Sequence, residues 1–361
     1  MPSSSFATTS AVLAAARAAL SAADWDGLIG GAESETTLRR NRLGFDSLAF
    51  RPRVQARDAL VDPATTFLGH RLRIPVMLAP IGSVQRLTPE GSLATARAAA
   101  AFGTLPFVSA ASRPDFEEVA RTVAGPKVLH LPIKGDLDSC ADVLTRARAS
   151  GYVAVNVTVG SPRLGRAERP GTGSGRARGG EDPFRLGLTW DDLDRIRQLA
   201  GLPLIAKGIA TREDARIAVE LGVDAICVSN HGGRTFDHGL AAVDVLPEVV
   251  DEVAGRVEVV LDGGVMRGTD VVKAVALGAR ATMIGKLHGV GLAAGGESGL
   301  ASILEILEDE IGTCLELLGE PRIDAVGPDH VRTARPVRFP TDLGGFPSLP
   351  APDLPAPDLP A

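Results

Sequence analysis

A (β/α)₈ barrel is the fold this sequence predicts, on three observations. Eight short apolar runs follow one another from Pro75 onward, most of them separated by a stretch of helical length. Several of these runs stop abruptly at a charged or glycine-rich cluster, which is how a buried parallel strand delivers reactive side chains to a loop. No Gly-x-Gly-x-x-Gly follows the first run, which disfavours the competing doubly wound sheet with a nicotinamide site.

Residues 1–8 are mostly small and polar and are expected to be loose. Residues 10–23 form an alanine-rich helix candidate. Ser34 is placed to cap a second helix with Glu35 in its first turn, and Phe50-Arg51-Pro52-Arg53 reads as extended. The eight barrel strands are expected at 75–79, 105–108, 128–131, 153–157, 203–206, 225–228, 257–261 and 281–284. Between them 89–101, 116–123, 212–221 and 269–277 have helical periodicity or acidic first turns. Residues 165–182 break the rhythm: the glycine-rich stretch 171–180 cannot bury a core and reads as a flexible loop after the fourth strand, either a lid or a slack insertion. The organisation is therefore an N-terminal helical segment over 1–70 packing on the barrel, the barrel itself over 71–335, and a proline-rich tail over 336–361.

The totals narrow the function classes. The chain of 361 residues carries a net charge of −6, which gives no general reason to expect nucleic acid or an anionic membrane as partner. Its 41 glycines and 4% aromatic content suit a loop-rich α/β protein. Cys140, Cys227 and Cys314 lack metal-type spacing, Cys227 falls inside a strand, and a reducing cytoplasm fits better than a disulfide framework. No continuous apolar run approaches a membrane span, and the N-terminus lacks a secretory pattern.

The chemistry is expected where the strands end. Ala225-Ile226-Cys227-Val228 stops at Ser229-Asn230-His231-Gly232-Gly233-Arg234: a histidine that takes a proton near neutral pH, an arginine that clamps a carboxylate, and glycines that let backbone approach a flat ligand. Lys207 closes the fifth run and carries its charge to the strand-end face, where it can stabilise an anion. Asp262-Gly263-Gly264 and Gly285-Lys286 end the seventh and eighth runs, the usual phosphate cradle of this fold. Together they ask for a phosphorylated cofactor with an anionic ring system.

With Glu35-Thr36-Thr37-Leu38-Arg39-Arg40-Asn41, Leu78-Ala79-Pro80, Lys207-Gly208-Ile209 and Arg267-Gly268-Thr269-Asp270-Val271 added, the chain resembles the FMN-dependent 2-hydroxy acid oxidase and dehydrogenase family, from about residue 31 to 319. The resemblance implies FMN as cofactor and His231, Arg234, Lys207 and His130 as catalytic candidates. His231 would remove the substrate proton, Arg234 would hold its carboxylate, and Lys207 would stabilise the reduced ring. Thr158 and Ser229 would touch the isoalloxazine, with Ala79, Pro80, Ile81 and His130 in the same cofactor site. Asp262, Gly263, Gly264, Gly285 and Lys286 would serve the ribityl phosphate end, and with Met266 replacing a family arginine, phosphate binding would lean on Arg267. A homo-oligomer, commonly a tetramer, is implied as well, with O₂ or another electron acceptor.

Several family residues are replaced. Two tyrosine positions are Gly27 and the turn from Leu131 into Pro132, the aspartate that orients the histidine is Gly160, a second arginine is Ala167, and a flavin-contacting glutamine is His130. Losing the aspartate removes support from an imidazolium, on the order of a few kcal/mol, which disfavours ordinary glycolate or lactate oxidation. Three readings stay open. Arg166, Arg169 or His130 takes over the lost roles. Alternatively, the pocket is widened for a bulky acid such as a biosynthetic intermediate, peptide or carrier-bound substrate. Finally, the flavin is kept while the reaction has changed, towards dehydrogenation or oxidative decarboxylation. Outside enzymes altogether stands a non-catalytic flavin-binding protein.

Overall fold

The computed structural model describes residues 6–53, 61–133, 137–160, 165–169 and 188–336. Most of the glycine-rich loop and all but the first residue of the tail lie outside these. Ahead of the barrel come helices α1 (Thr9–Ala19), α2 (Ala22–Ile29) and α3 (Thr36–Asp46), then strands β1 (Leu48–Phe50), β2 (Thr65–Phe67) and β3 (His70–Leu72). The single helix expected over 10–23 is two, because Ser21 adopts an extended conformation and caps α2 by accepting from the Asp24 amide. Ser34 is likewise not a cap. Glu35 precedes α3 in the left-handed region (φ 61°), and the Ser34 hydroxyl turns to Asp237 instead.

The barrel then alternates: β4 (Val76–Leu78), α4 (Ser92–Phe102), β5 (Phe107–Ser109), α5 (Phe116–Thr122), β6 (Val128–Leu131), α6 (Asp138–Ala149), β7 (Ala154–Thr158), α7 (Trp190–Ala200), β8 (Leu204–Ile209), α8 (Arg212–Leu221), β9 (Ala225–Ser229), α9 (Ala242–Val253), β10 (Glu258–Asp262), α10 (Gly268–Ala276), β11 (Ala281–Ile284) and α11 (Lys286–Leu318). Each expected strand lies where the sequence places it. The strands pair in parallel in the order β4-β11-β10-β9-β8-β7-β6-β5, and a parallel bridge between Leu78 and Pro106 brings the two ends of the sheet together. Eight strands with intervening helices make this a (β/α)₈ barrel. After α11, β12 (Val331–Thr333) pairs antiparallel with β1, tying the end of the described chain to the segment ahead of the barrel.

Period-two alternation sends Met77, Phe107, Val128, Ala154, Ile205, Ala225, Cys227, Val260 and Ala281 into one buried cluster that plugs the barrel. Residues on the opposite strand faces, such as Val155, Ala206, Ile226 and Leu261, pack outward against the helices in a second, larger core. The helix α11 is, by length and composition, long and apolar enough to cross a membrane, which the sequence did not suggest. Its apolar residues are not one continuous run, for the backbone breaks from helix at Gly295 and Gly296, and most of its apolar face is buried against the barrel and α1.

Candidate active site

A cavity of about 890 Å³ opens at the C-terminal ends of the strands, within the usual range for a small-molecule site. Of the residues singled out from sequence, Ala79, Pro80, Ile81, His130, Thr158, Lys207, His231, Arg234, Asp262, Gly263, Gly264, Gly285 and Lys286 all line it. Two do not. Ser229 sits one layer behind the wall, where its hydroxyl joins Lys207 and Asp262. Arg267 is exposed and points away, paired to Glu310 at 2.6 Å. Its guanidinium serves the start of α10, whose Gly268 amide donates to the same carboxylate.

The floor is a buried ionic triad. Lys207 Nζ lies 2.9 Å from Ser229 Oγ and 2.5 Å from Asp262 Oδ2, and Ser229 Oγ is 2.9 Å from that same oxygen. Burial opposes both charges, yet each partner outweighs it for the other, so the Lys207 ammonium is held above its usual range and the Asp262 carboxylate below. β8 carries a bulge immediately after Lys207, centred on Gly208 with φ 112°. A Cβ there would stand 2.3 Å from the Val159 carbonyl and 2.9 Å from His231 Cε1, so only glycine leaves the imidazole its place.

His231 follows β9 with φ 56°, and Gly232 and Gly233 are left-handed too. A non-glycine residue in that region costs about 1–3 kcal/mol and persists where its surroundings over-determine it. Here the fixing contact is the His231 amide donating to Ser229 Oγ at 3.1 Å. Gly160, at the place of the family's orienting aspartate, supplies no carboxylate. Asp262 stands on the neighbouring strand, where Lys207 first, then Ser229 and a charge at His231, hold its carboxylate ionised against burial.

At the other end of the cavity two cations converge. Arg234 donates to the carbonyls of Gly27 at 2.8 Å and Leu28 at 2.5 Å, and Lys286 Nζ donates to the Gly232 carbonyl at 2.8 Å. Neither has a carboxylate within ion-pairing distance among the described residues. Burial, and then repulsion from Arg234, pushes the Lys286 ammonium well below its ordinary value, and burial lowers Arg234 as well. Arg42, which also lines the cavity, is by contrast fully engaged, with a two-pronged bond to Asp270 (2.6 and 2.7 Å), Asp46 beside it and the Gly264 carbonyl at 3.0 Å.

The group implied by the resemblance fits these residues. Two half-buried cations without carboxylate partners call for anions, Lys286 for a phosphate monoester and Arg234 for a carboxylate. Gly264, with φ 83°, lies so close to the Asn41 carbonyl that a Cβ would stand 2.5 Å away, making a wall of bare backbone. The stand-ins proposed for the lost arginine do not enter the cavity. Arg169 is locked to Glu35 by bonds of 2.5 and 2.8 Å, and Arg166 is exposed beside Glu168. His130 does enter, with Asn156 behind it, and burial followed by the Lys207 charge drives its pKa down to about 4.

Sequence reasoning missed Asn156 and Ser109. Both were reachable, since Asn156 is two residues before Thr158 and Ser109 two after Phe107, on the inward face of their strands. It also missed Asp24 and Arg86, an ion pair at 2.6 Å whose two residues line the cavity. Nothing local marks them, because they come together from α2 and the turn after β4. Two histidines outside the set are structural or solvated. His288 is buried between Thr95 and the Ala79 carbonyl, and His238 is exposed.

Comparison with known proteins agrees with this geometry. A family model described as FMN-dependent dehydrogenase matches residues 16–175 and 171–333. A peroxisomal (S)-2-hydroxyacid oxidase of Arabidopsis thaliana is 41% identical over 341 residues, covering 88% of this chain and 94% of that enzyme. Glycolate oxidase of Spinacia oleracea is 36% identical over 333 residues, covering 85% and 90%. Among solved structures, mandelate oxidase with (S)-2-phenylpropionate superposes with a TM-score of 0.84 at 32% identity, covering 92% of this chain and all of that one.

Proposed function

The chain belongs to the FMN-dependent dehydrogenase family, and from that premise we propose that it oxidises the CH–OH carbon of an (S)-2-hydroxy acid with an apolar side chain, with O₂ as electron acceptor. When bound, FMN supplies the two-electron acceptor that this oxidation requires. The observation that carries the reading is the convergence on one cavity of a strained histidine, a buried lysine and two cations without carboxylate partners.

His231, at the head of the loop after β9, takes the substrate proton as general base. Arg234 holds the substrate carboxylate; its two carbonyl bonds use two of the five N–H donors a guanidinium owns. Lys207 keeps a fixed positive charge on the floor, aimed at negative charge that develops above it. Lys286 and the Gly263-Gly264 backbone hold the cofactor's phosphate end. Leu28, Ile81, Leu87, Leu131, Pro132, Ile133 and Leu188 give the substrate side chain apolar walls. A bulkier acid is the second reading, favoured by Gly27, beside which no atom lies within 4 Å of where a Cβ would be.

Stopped-flow mixing of the FMN-loaded protein with 2-hydroxy acids of increasing size, without oxygen, tests the reading. Bleaching of the flavin absorbance by an (S)-2-hydroxy acid, followed by rapid recovery in air, is the expected result. A flavin that no acid bleaches, or bleaching that survives His231→Gln undiminished, would overturn it. The exposed Phe236 and Leu240 on the loop after β9 support a homo-oligomer, which native mass measurement checks. Three free, buried cysteines support residence in a reducing compartment such as the cytoplasm, which localisation of a tagged chain checks.

A further inference from the structure

His130 and Asn156 face each other across β6 and β7, paired in register and two residues below the strand ends that carry Thr158 and Lys207. Asn156 Nδ2 lies 2.8 Å from His130 Nδ1, Asn156 is completely buried, and its Oδ1 has no hydrogen-bond partner among the described residues. The direction of that bond decides which nitrogen of the ring carries the proton. Turning the amide over would give Nδ1 an acceptor but strand both amide N–H groups in the barrel interior. An unpaired carbonyl oxygen is tolerated better than orphaned donors. An amide that donates to Nδ1 requires a lone pair there, and the ring proton then resides on Nε2.

We propose that Asn156 is a positioning residue that holds His130 as its Nε2–H tautomer, so that a neutral imidazole offers an N–H donor to the bound flavin and the base role falls to His231 alone. The proposal rests on the FMN reading for what the donor addresses, and on the Asn156 contact for the tautomer itself. Burial, and then the ammonium of Lys207, which lines the same cavity, discourages a second proton on the ring and outweighs the Asn156 backbone contact that favours one, and no carboxylate is within hydrogen-bond reach of His130 among the described residues. The two histidines therefore differ in kind. His231 follows β9 with its amide on Ser229 Oγ, whereas His130 has an amide and a cation for neighbours.

Two measurements test this. In long-range ¹H–¹⁵N spectra of histidine-labelled protein, with the His130 signal identified by its loss in His130→Gln, the wild type should show a protonated Nε2 and a bare Nδ1. Asn156→Leu should mix the tautomers, and Asn156→Asp should bring a proton to Nδ1. A wild-type ring protonated on Nδ1, or one unchanged in Asn156→Leu, overturns the proposal. Second, the flavin reduction potential and absorption bands should shift in His130→Phe and in the same direction in Asn156→Leu, with kcat/KM falling about tenfold in the latter, the factor one net hydrogen bond is worth. His130→Gln, which keeps an N–H donor, should restore most of the potential. An unshifted potential in His130→Phe also overturns the idea. Failure to bind FMN would sink the proposed function but leave the tautomer spectrum of the flavin-free protein readable, so the two can fail separately.

Discussion

Along β5, Phe107 packs into the barrel plug while Ser109, two residues on, lines the cavity; the same step of two takes Val128 to His130, Ala154 to Asn156, Ile205 to Lys207, Cys227 to Ser229 and Val260 to Asp262. One set of strands thus builds two interiors. The lower one is apolar and stabilises by burial, with nothing in it to titrate near neutral pH, since burial pushes even the Cys227 thiol up to about 12. The upper one holds lysine, aspartate, serine, asparagine and histidine out of water, where each polar group costs free energy unless paired. Its members therefore hold one another, and the two cations left without a carboxylate, Lys286 and Arg234, point to what the cavity binds.

That contrast can be broken at either end. His231→Gln is expected to have the largest effect, lowering kcat by about 10²- to 10⁴-fold with little change in stability, read by stopped-flow reduction and a denaturant melt. Next, Lys207→Met and Phe107→Ala should each cost about 3–5 kcal/mol in urea unfolding, for opposite reasons: the first strands the Asp262 carboxylate, the second opens a cavity in the plug. They separate in kinetics at a temperature where both stay folded, with only Lys207→Met losing turnover. If Phe107→Ala loses it equally, the two interiors are not independent.

A smaller effect of mixed sign is expected for Lys286→Met. Because burial and Arg234 disfavour the ammonium, its removal should raise the melting temperature of flavin-free protein while weakening FMN binding by about 10- to 100-fold, the range for a charge-assisted bond. Equal stability loss with and without FMN would contradict this. The smallest effect concerns acid. Asp262 and Asp237 both have folded pKa values below their unfolded ones, so their contribution is full above the unfolded carboxylate value of about 4 and declines as pH falls through the folded values. Stability measured by urea melts should thus fall on acidification below about pH 4, and Asp237→Asn should flatten that fall. A profile no flatter in Asp237→Asn would remove this group from the account.

The barrel was legible because its signals are local. Each strand is a short, mostly apolar stretch, and several of the helices between carry their own caps, as Thr211 does for α8 by accepting from the Asp214 amide. Most of the cavity wall was legible too, since strand ends are where such a fold keeps its reactive residues. Arg267 was misassigned for a physical reason. It stands one residue after Met266, which lines the cavity, but its side chain turns outward to Glu310 from α11, a partner 43 residues away in sequence (310 − 267). Ser229 was put in contact with the ring, although its hydroxyl is taken by Lys207 and Asp262. The same limit hid Asp24 and Arg86.

By itself the sequence determined the alternation of strands and helices, the polar residues at the strand tips and the glycines at Gly208 and Gly264, because periodicity and backbone preference act over a few neighbouring residues. Only the tertiary structure decided which charges meet. Lys207 finds Asp262 two strands along the sheet, Arg42 is neutralised by Asp270, Arg169 is diverted to Glu35, and Arg234 and Lys286 are left with carbonyls. The reason is that electrostatic pairing depends on distance through space and on burial, and neither is written in the spacing along the chain.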